Sequence, residues 1–160
     1  TDGLSALIQQ LTPGGYIKIG LYSEIARKVI VEARKIIQIL EIESTPEGIR
    51  RFRKQVLDGE IKELLDLPKF ASDFYSLSEC RDLCFHVQEH RFTTESLQKL
   101  LDSHGLTSCG LMVSEQVKKL YQEKYPEDND MTSFSNWGEF EEENTSTFVE
   151  MYQFWAQKSS

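Results

Sequence analysis

"EHRFTTESLQKLLDSHGLTSCGLMV", residues 89–113, decides how the rest of the chain is read. Thr93 or Thr94 is placed to cap a helix, because a hydroxyl there accepts from a free N–H of the first turn. Leu97, Leu100 and Leu101 follow at helical spacing and define a buried stripe. His104-Gly105 ends the helix, since glycine takes the left-handed conformation of a helix end without side-chain cost. "LTSCGLMV", 106–113, reads as a strand. A capped helix, a glycine turn and a strand make an α+β unit.

Just upstream, His86-Val87-Gln88-Glu89-His90 spells the H-x-x-E-H pattern of inverted zinc peptidases. That chemistry needs a continuous helix with both histidines on one face. Here "LCFHVQE" alternates Leu83, Phe85 and Val87 against Cys84, His86 and Gln88, which predicts extended chain, and no third ligand is recognisable downstream. A zinc-dependent hydrolase using His86, Glu89 and His90 lacks the rest of its site, so no bound metal is expected. The alternative is a loop held by histidine and glutamate hydrogen bonds.

Toward the N-terminus, Leu4, Leu7, Ile8 and Leu11 fall on one helical face, Thr12-Pro13-Gly14-Gly15 stops that helix, and "YIKIGLYS", 16–23, alternates as a strand. Ser23 is the expected cap of a helix through "EIARKVIVEARKIIQIL", 24–40. Thr45-Pro46 opens another helix that runs to about Leu57, with proline at a position where its missing N–H costs little. "EIKELLDL" predicts a shorter helix that stops before Pro68. Beyond the opening stretch come a helix over "SEQVKKLYQEKY", a polar segment with a weak helix around Trp137 and Phe140, and a closing strand in "TFVEMYQFWAQK". The expectation is one helix-rich α+β domain over 1–160. It comprises a helix and strand (1–22), a helical insert (23–70), and a loop, helix, strand, helix and closing strand (71–160).

At 160 residues the chain is long enough to bury a core, and its 39% hydrophobic and 28% charged content is ordinary for a globular protein. A net charge of −8 argues against general nucleic-acid binding, which rests on neutralising phosphates. Arg27, Lys28, Arg34, Lys35, Arg50, Arg51, Arg53 and Lys54 crowd the first third, while Glu139, Glu141, Glu142 and Glu143 crowd the last. Two solvated helix faces or a basic groove for an anion both fit this asymmetry. Cys80, Cys84 and Cys109 make no disulfide framework and are expected as reduced, mostly buried thiols. No apolar run approaches the roughly 18 residues of a membrane span. With no cationic leader in these residues either, a cytoplasmic protein without membrane contact is expected. The start at Thr1-Asp2-Gly3, without methionine, predicts a truncated or processed chain.

Two separated motifs carry a family resemblance. "LSALIQQLTPGGYIKIG" resembles the helix and fifth strand of class I S-adenosylmethionine-dependent methyltransferases. "EHRFTTESLQKLLDSHGLTSCGLMV" looks like their later loop, helix and sixth strand, matching at Glu89, His90, Phe92, Thr93, Leu97, Leu100, Leu101 and Gly105. "FVEMYQFWAQK" stands where the antiparallel seventh strand would close the domain. More narrowly, "KIGLYSEIAR", "SECRDLCFHVQEHRFT" and "MYQFW" are similar to the C-terminal part of bacterial methyltransferases that carry tetratricopeptide repeats. The resemblance implies a small mixed sheet of about three strands, in the order 5-7-6 of a Rossmann-like methyltransferase, with a helical insert. The cofactor half is missing: no Gly-x-Gly occurs anywhere, and no strand supplies a ribose-binding acid. The resemblance therefore implies a C-terminal fragment, inactive alone and binding no cofactor itself, whose intact parent would use S-adenosylmethionine.

In this fold ligands lie beyond the carboxyl ends of the strands. That makes Tyr22, Ser23, Arg81, Asp82 and Glu89 the candidates for the substrate side, and His86 or His90 the candidate base, imidazole titrating near neutral pH. An ordinary surface ion pair accounts equally for Arg81 and Asp82. The first strand, bare of its usual neighbour, or the surface beside it is expected to mediate self-association, as a homodimer or a larger assembly. A non-enzymatic interaction module, binding a partner through that edge and through Tyr152, Phe154 and Trp155, is the competing reading.

Overall fold

A computed structural model describes residues 2–85 and 89–159. Its elements are α1 (Asp2–Gln10), β1 (Tyr16–Ser23), α2 (Lys28–Ile39), α3 (Pro46–Leu57), α4 (Leu67–Phe70), α5 (Leu77–Cys80), β2 (Arg91–Phe92), α6 (Thr94–Ser103), β3 (Leu106–Leu111), α7 (Glu115–Lys124), α8 (Phe134–Glu143) and β4 (Tyr152–Lys158). The fold is helix-rich α+β with a small mixed sheet, as the sequence predicts. It divides into two compact units, residues 1–25 with 90–160, and residues 26–89. Among the described residues no helix is long and apolar enough to cross a membrane.

The first unit is built on the sheet. Its strand order is β2-β1-β4-β3, with β4 antiparallel to both β1 and β3. The expected order of three strands is therefore present, and a fourth has been added. The addition is short: after His90 the chain stays extended for two residues, and Arg91 and Phe92 pair in parallel with Tyr22 and Ser23. Alternation along β1 and β4 sorts the two faces. Ile19 lies opposite Phe154 and both are buried, whereas Lys18 lies opposite Trp155 and both are exposed. Leu97 and Leu101 of α6 join the buried face. Thr93 caps α6, accepting from the Ser96 N–H while the Ser96 hydroxyl accepts from the Thr93 N–H.

The Thr-Pro-Gly-Gly stop is tied to the end of the chain. Gly14, at φ +74°, takes the left-handed conformation the turn requires. Its N–H donates to the Lys158 carbonyl, and the Lys158 N–H returns the bond to Gly15. The Lys158 ammonium donates to the carbonyls of Ile8 and Leu11, satisfying acceptors that the end of α1 leaves open. The segment read as polar with a weak helix forms the full helix α8, capped by Ser133. Its buried Phe134, Trp137 and Phe140 are spaced for one face, and Tyr121 of α7 stacks on Trp137 at 3.9 Å between ring centroids.

The second unit is helical. The segment read as an insert over 23–70 lies in it from Ala26 onward, residues 23–25 belonging to the sheet unit, and the helical unit runs on to Glu89. Thr45 caps α3 and Pro46 sits in its first turn, both as predicted. Three local readings are corrected. Ser23 is not the cap of α2: it ends β1, and α2 begins at Lys28 after a turn. "EIKELLDL" is not one helix. It breaks into a 3-10 turn at Lys62–Leu64, and Pro68 then lies in the first turn of α4 instead of stopping a helix. "LCFHVQE" is not extended over Leu83–Phe85, because Arg81–Phe85 forms a π-turn continuing α5. The alternation of Leu83 and Phe85 about Cys84 was misleading, since Leu83 and Cys84 are both buried in the unit's core. His86, Val87 and Gln88 lie outside the described residues.

Candidate functional site

Two polar centres stand out, one in each unit. In the sheet unit, β1 and β2 run parallel and end together, with Tyr22 in register with Arg91 and Ser23 with Phe92. The Glu24 N–H continues the pairing by donating to the Phe92 carbonyl at 2.8 Å. Behind these strand ends lies Glu141 of α8, a fully buried carboxylate. The Ser23 hydroxyl donates to Glu141 Oε1 and the Tyr152 hydroxyl donates to Glu141 Oε2. Burial, and then the Glu141 carboxylate that accepts its proton, push the Tyr152 phenol well above its ordinary range against a smaller opposing effect of Ser23. Glu141 thereby ties the end of β1, the start of β4 and helix α8 together.

In the helical unit, Glu89 is the hub. Its side chain is 5% exposed and takes a two-pronged contact from Arg27, at 3.2 Å to Oε1 and 2.5 Å to Oε2. Arg34 donates to the same Oε2 at 3.0 Å. Arg34 also forks onto the Leu83 carbonyl from Nη2 at 2.8 Å and Nε at 3.2 Å, so one guanidinium holds both the π-turn and Glu89. Burial alone would raise the Glu89 carboxyl. The Arg27 hydrogen bond and the charges of Arg27 and Arg34 outweigh that and hold it below the usual carboxylate range.

The residues singled out in the sequence are thus distributed. Tyr22 and Ser23 share the strand ends with β2, and His90, exposed, immediately precedes Arg91, the register partner of Tyr22. Ser23 turns its hydroxyl inward to Glu141. Arg81, Asp82 and Glu89 belong to the helical unit, the first two exposed on the π-turn and the third locked between arginines. His86 is outside the described residues. Among the described residues no group of three His, Cys, Asp or Glu side chains is arranged to hold a metal ion. Of the C-terminal aromatics, Tyr152 and Phe154 are fully buried and Trp155 is 46% exposed, so Trp155 alone of the three could meet a partner.

Sequence reasoning missed Glu141, Arg27 and Arg34 as structural centres, because each sits in a run of like charges that reads as a solvated face. A signal did exist for Glu141: it is next to Phe140 and four residues beyond Trp137, on the apolar side of α8.

The fold and these centres define a helix-rich α+β protein on a small mixed sheet. No protein-family profile matches the chain. It is similar to an uncharacterized protein of Synechococcus sp., 34% identical over 120 residues that span 68% of this chain and 27% of the relative. The chain spans about a quarter of the length of that curated relative.

Proposed function

We propose that this chain is the C-terminal, substrate-side part of a class I S-adenosylmethionine-dependent methyltransferase and transfers no methyl group by itself. Strand order carries the proposal. The strand after "LTPGG", the strand after α6 and the closing strand lie in one sheet with the closing strand between and antiparallel to the other two. The quoted motifs supply the rest. The residues present do not fit the cofactor: no Gly-x-Gly turn occurs in the chain, and the Ser23 hydroxyl at the end of β1 is occupied by Glu141.

In the intact enzyme, Tyr22 at the end of β1 and His90 before β2 would face the methyl acceptor, His90 taking up its proton. His86 is a second candidate base on its sequence position alone. A cytoplasmic location belongs to the same proposal. Calorimetric titration with S-adenosylhomocysteine tests it. The expected result is no binding heat at near-millimolar ligand for this chain. The chain extended by the reading frame upstream of Thr1 should encode a glycine-rich turn followed by an acidic residue about 20 positions on, and should bind at micromolar concentration. Micromolar binding by the present chain, or an extension without that turn and without binding, would overturn it.

The same reading extends to self-association. β2 covers only Tyr22 and Ser23 of the β1 edge, and Tyr16–Leu21 have no strand partner on that side among the described residues. Such an edge pairs readily with a second strand. Light scattering is expected to give the mass of a dimer, and a monomer mass at every concentration would remove this part of the proposal.

A further inference from the structure

Cys80 and Cys84 of the helical unit belong to neither centre. Both are free and buried, and both sit in the same apolar cluster with Phe52, Leu64 and Phe74. Cys80 ends α5, and Cys84 lies within the π-turn that follows. Residues four apart on a helix share a face, with Cβ atoms roughly 5–6 Å apart, somewhat beyond what a disulfide spans. A π-turn has a smaller rise per residue than an α-turn, which draws the fourth residue back toward the first. Such turns also have a weaker hydrogen-bond ladder and recur at functional positions.

Two arginines of the same unit act on the pair, Arg53 on Cys80 and Arg34 on Cys84. Arg34 donates twice to the carbonyl of Leu83, next to Cys84. The Arg53 guanidinium lies 5.9 Å from the ring centre of Phe74, and its Nε is buried with no hydrogen-bond partner among the described residues. A buried donor left open in this way has a natural acceptor in an anion formed nearby. We propose that Cys80 and Cys84 form a dithiol modification site that hydrogen peroxide oxidises to a reversible intrahelical disulfide. The inference is independent of the methyltransferase reading.

Roles within the pair follow from the local charges. Interaction with the neighbouring Cys84 thiol, with a smaller pull from Arg53, lowers the Cys80 thiol despite burial. The same contact, together with burial, raises Cys84 against the weaker effects of Arg34 and Arg27. Cys80 is therefore the attacking thiolate. Its sulfur attacks one peroxide oxygen, an S–O bond forms, the O–O bond breaks, and the departing hydroxide takes a proton to become water. The Cys84 sulfur then attacks the Cys80 sulfur. An S–S bond forms, the S–O bond breaks, and hydroxide leaves with the Cys84 proton as a second water. Two thiols lose two electrons, and the peroxide is reduced to two waters. Burial makes the step depend on local opening, and the π-turn is the weak point at which the helix can open.

The test uses the full chain with Cys109→Ser, since Cys109 is exposed and would form links between chains. The folded protein is treated with hydrogen peroxide, unfolded in an alkylating agent and examined by peptide mass. The expected product has lost two hydrogen masses on the peptide joining Cys80 to Cys84, carries no alkylated thiol there, and reverts with dithiothreitol. With Cys84→Ser added, Cys80 should accumulate as a sulfenic acid trapped by dimedone. Wild-type protein run in parallel supplies the standard. The proposal is overturned if Cys80 and Cys84 stay fully alkylated at peroxide levels that oxidise Cys109, or react only once the far-ultraviolet dichroism of the fold is lost.

Discussion

Glu141→Ala is expected to destabilise the sheet unit by about 3 kcal/mol or more. The substitution removes the acceptor of two buried hydroxyls, Ser23 and Tyr152, both fully inaccessible to water. An unsatisfied buried polar group costs about 1–3 kcal/mol, and the vacated side-chain volume adds a cavity cost. Glu141→Gln keeps one oxygen acceptor at nearly the same shape, and its cost should stay near 1 kcal/mol. Both tryptophans, Trp137 and Trp155, lie in the sheet unit, so urea unfolding followed by tryptophan fluorescence reads this unit alone. A Glu141→Ala midpoint equal to that of the parent would mean that the hydroxyls find other acceptors and that Glu141 is not the tie between β1, β4 and α8. The alkaline limb gives an independent check. The folded pKa of Tyr152 lies above the ordinary phenol value of 10.0, so the neutral phenol favours the folded state. The associated stability is fully present below pH 10 and is lost as pH rises from there toward the folded value. Tyr152→Phe should flatten that part of the profile.

The sequence was legible where one physical signal acted alone. The caps at Thr45 and Thr93, the Thr-Pro-Gly-Gly stop and the alternation of β1 and β4 are local patterns, and the sheet order came with the resemblance they supported. Failures occurred where a tertiary contact overrode a local rule. Ser23 has the chemistry of a helix cap, but a carboxylate 118 positions away claims its hydroxyl. Leu83 and Phe85 alternate like a strand, yet the core reached by Leu83 and Cys84 winds that segment into a π-turn. Pro68 looks like a stop and serves as a start, because only the position of proline within the turn decides which. The two polar centres were the least legible parts. Arg27 and Arg34 in one unit and Glu141 in the other are chemically identical to surface charges until the fold buries them. Such charges gain their meaning from partners tens of residues distant, which periodicity cannot encode.

Glu89→Ala should weaken the helical unit by about 2–3 kcal/mol, slightly under the roughly 3–5 kcal/mol typical of breaking a fully buried ion pair. The discount reflects exposure: the side chains of Arg27 and Arg34 are 9% and 15% accessible, so water can partly solvate the guanidinium groups left behind. The helical unit contains no tryptophan, so its loss is followed by far-ultraviolet dichroism while tryptophan fluorescence of the sheet unit serves as the internal control. The pH dependence separates a structural Glu89 from one that meets substrate. Its folded pKa lies below the ordinary carboxyl value of 4.5, so the ionised form favours the folded state. The stability it contributes is complete above pH 4.5 and is lost as pH falls through the folded value. Glu89→Gln should abolish that part of the acid limb at once, because no proton is then exchanged at this position on unfolding. If Glu89→Gln instead leaves both the urea midpoint and the acid limb unchanged, the two arginines are not held by this carboxylate in solution. They would then be available to an anion, as the basic first third of the sequence allows. Loss of stability with a flattened acid limb would fix Glu89 as the residue that holds Arg27, and Arg34 on the Leu83 carbonyl, in place.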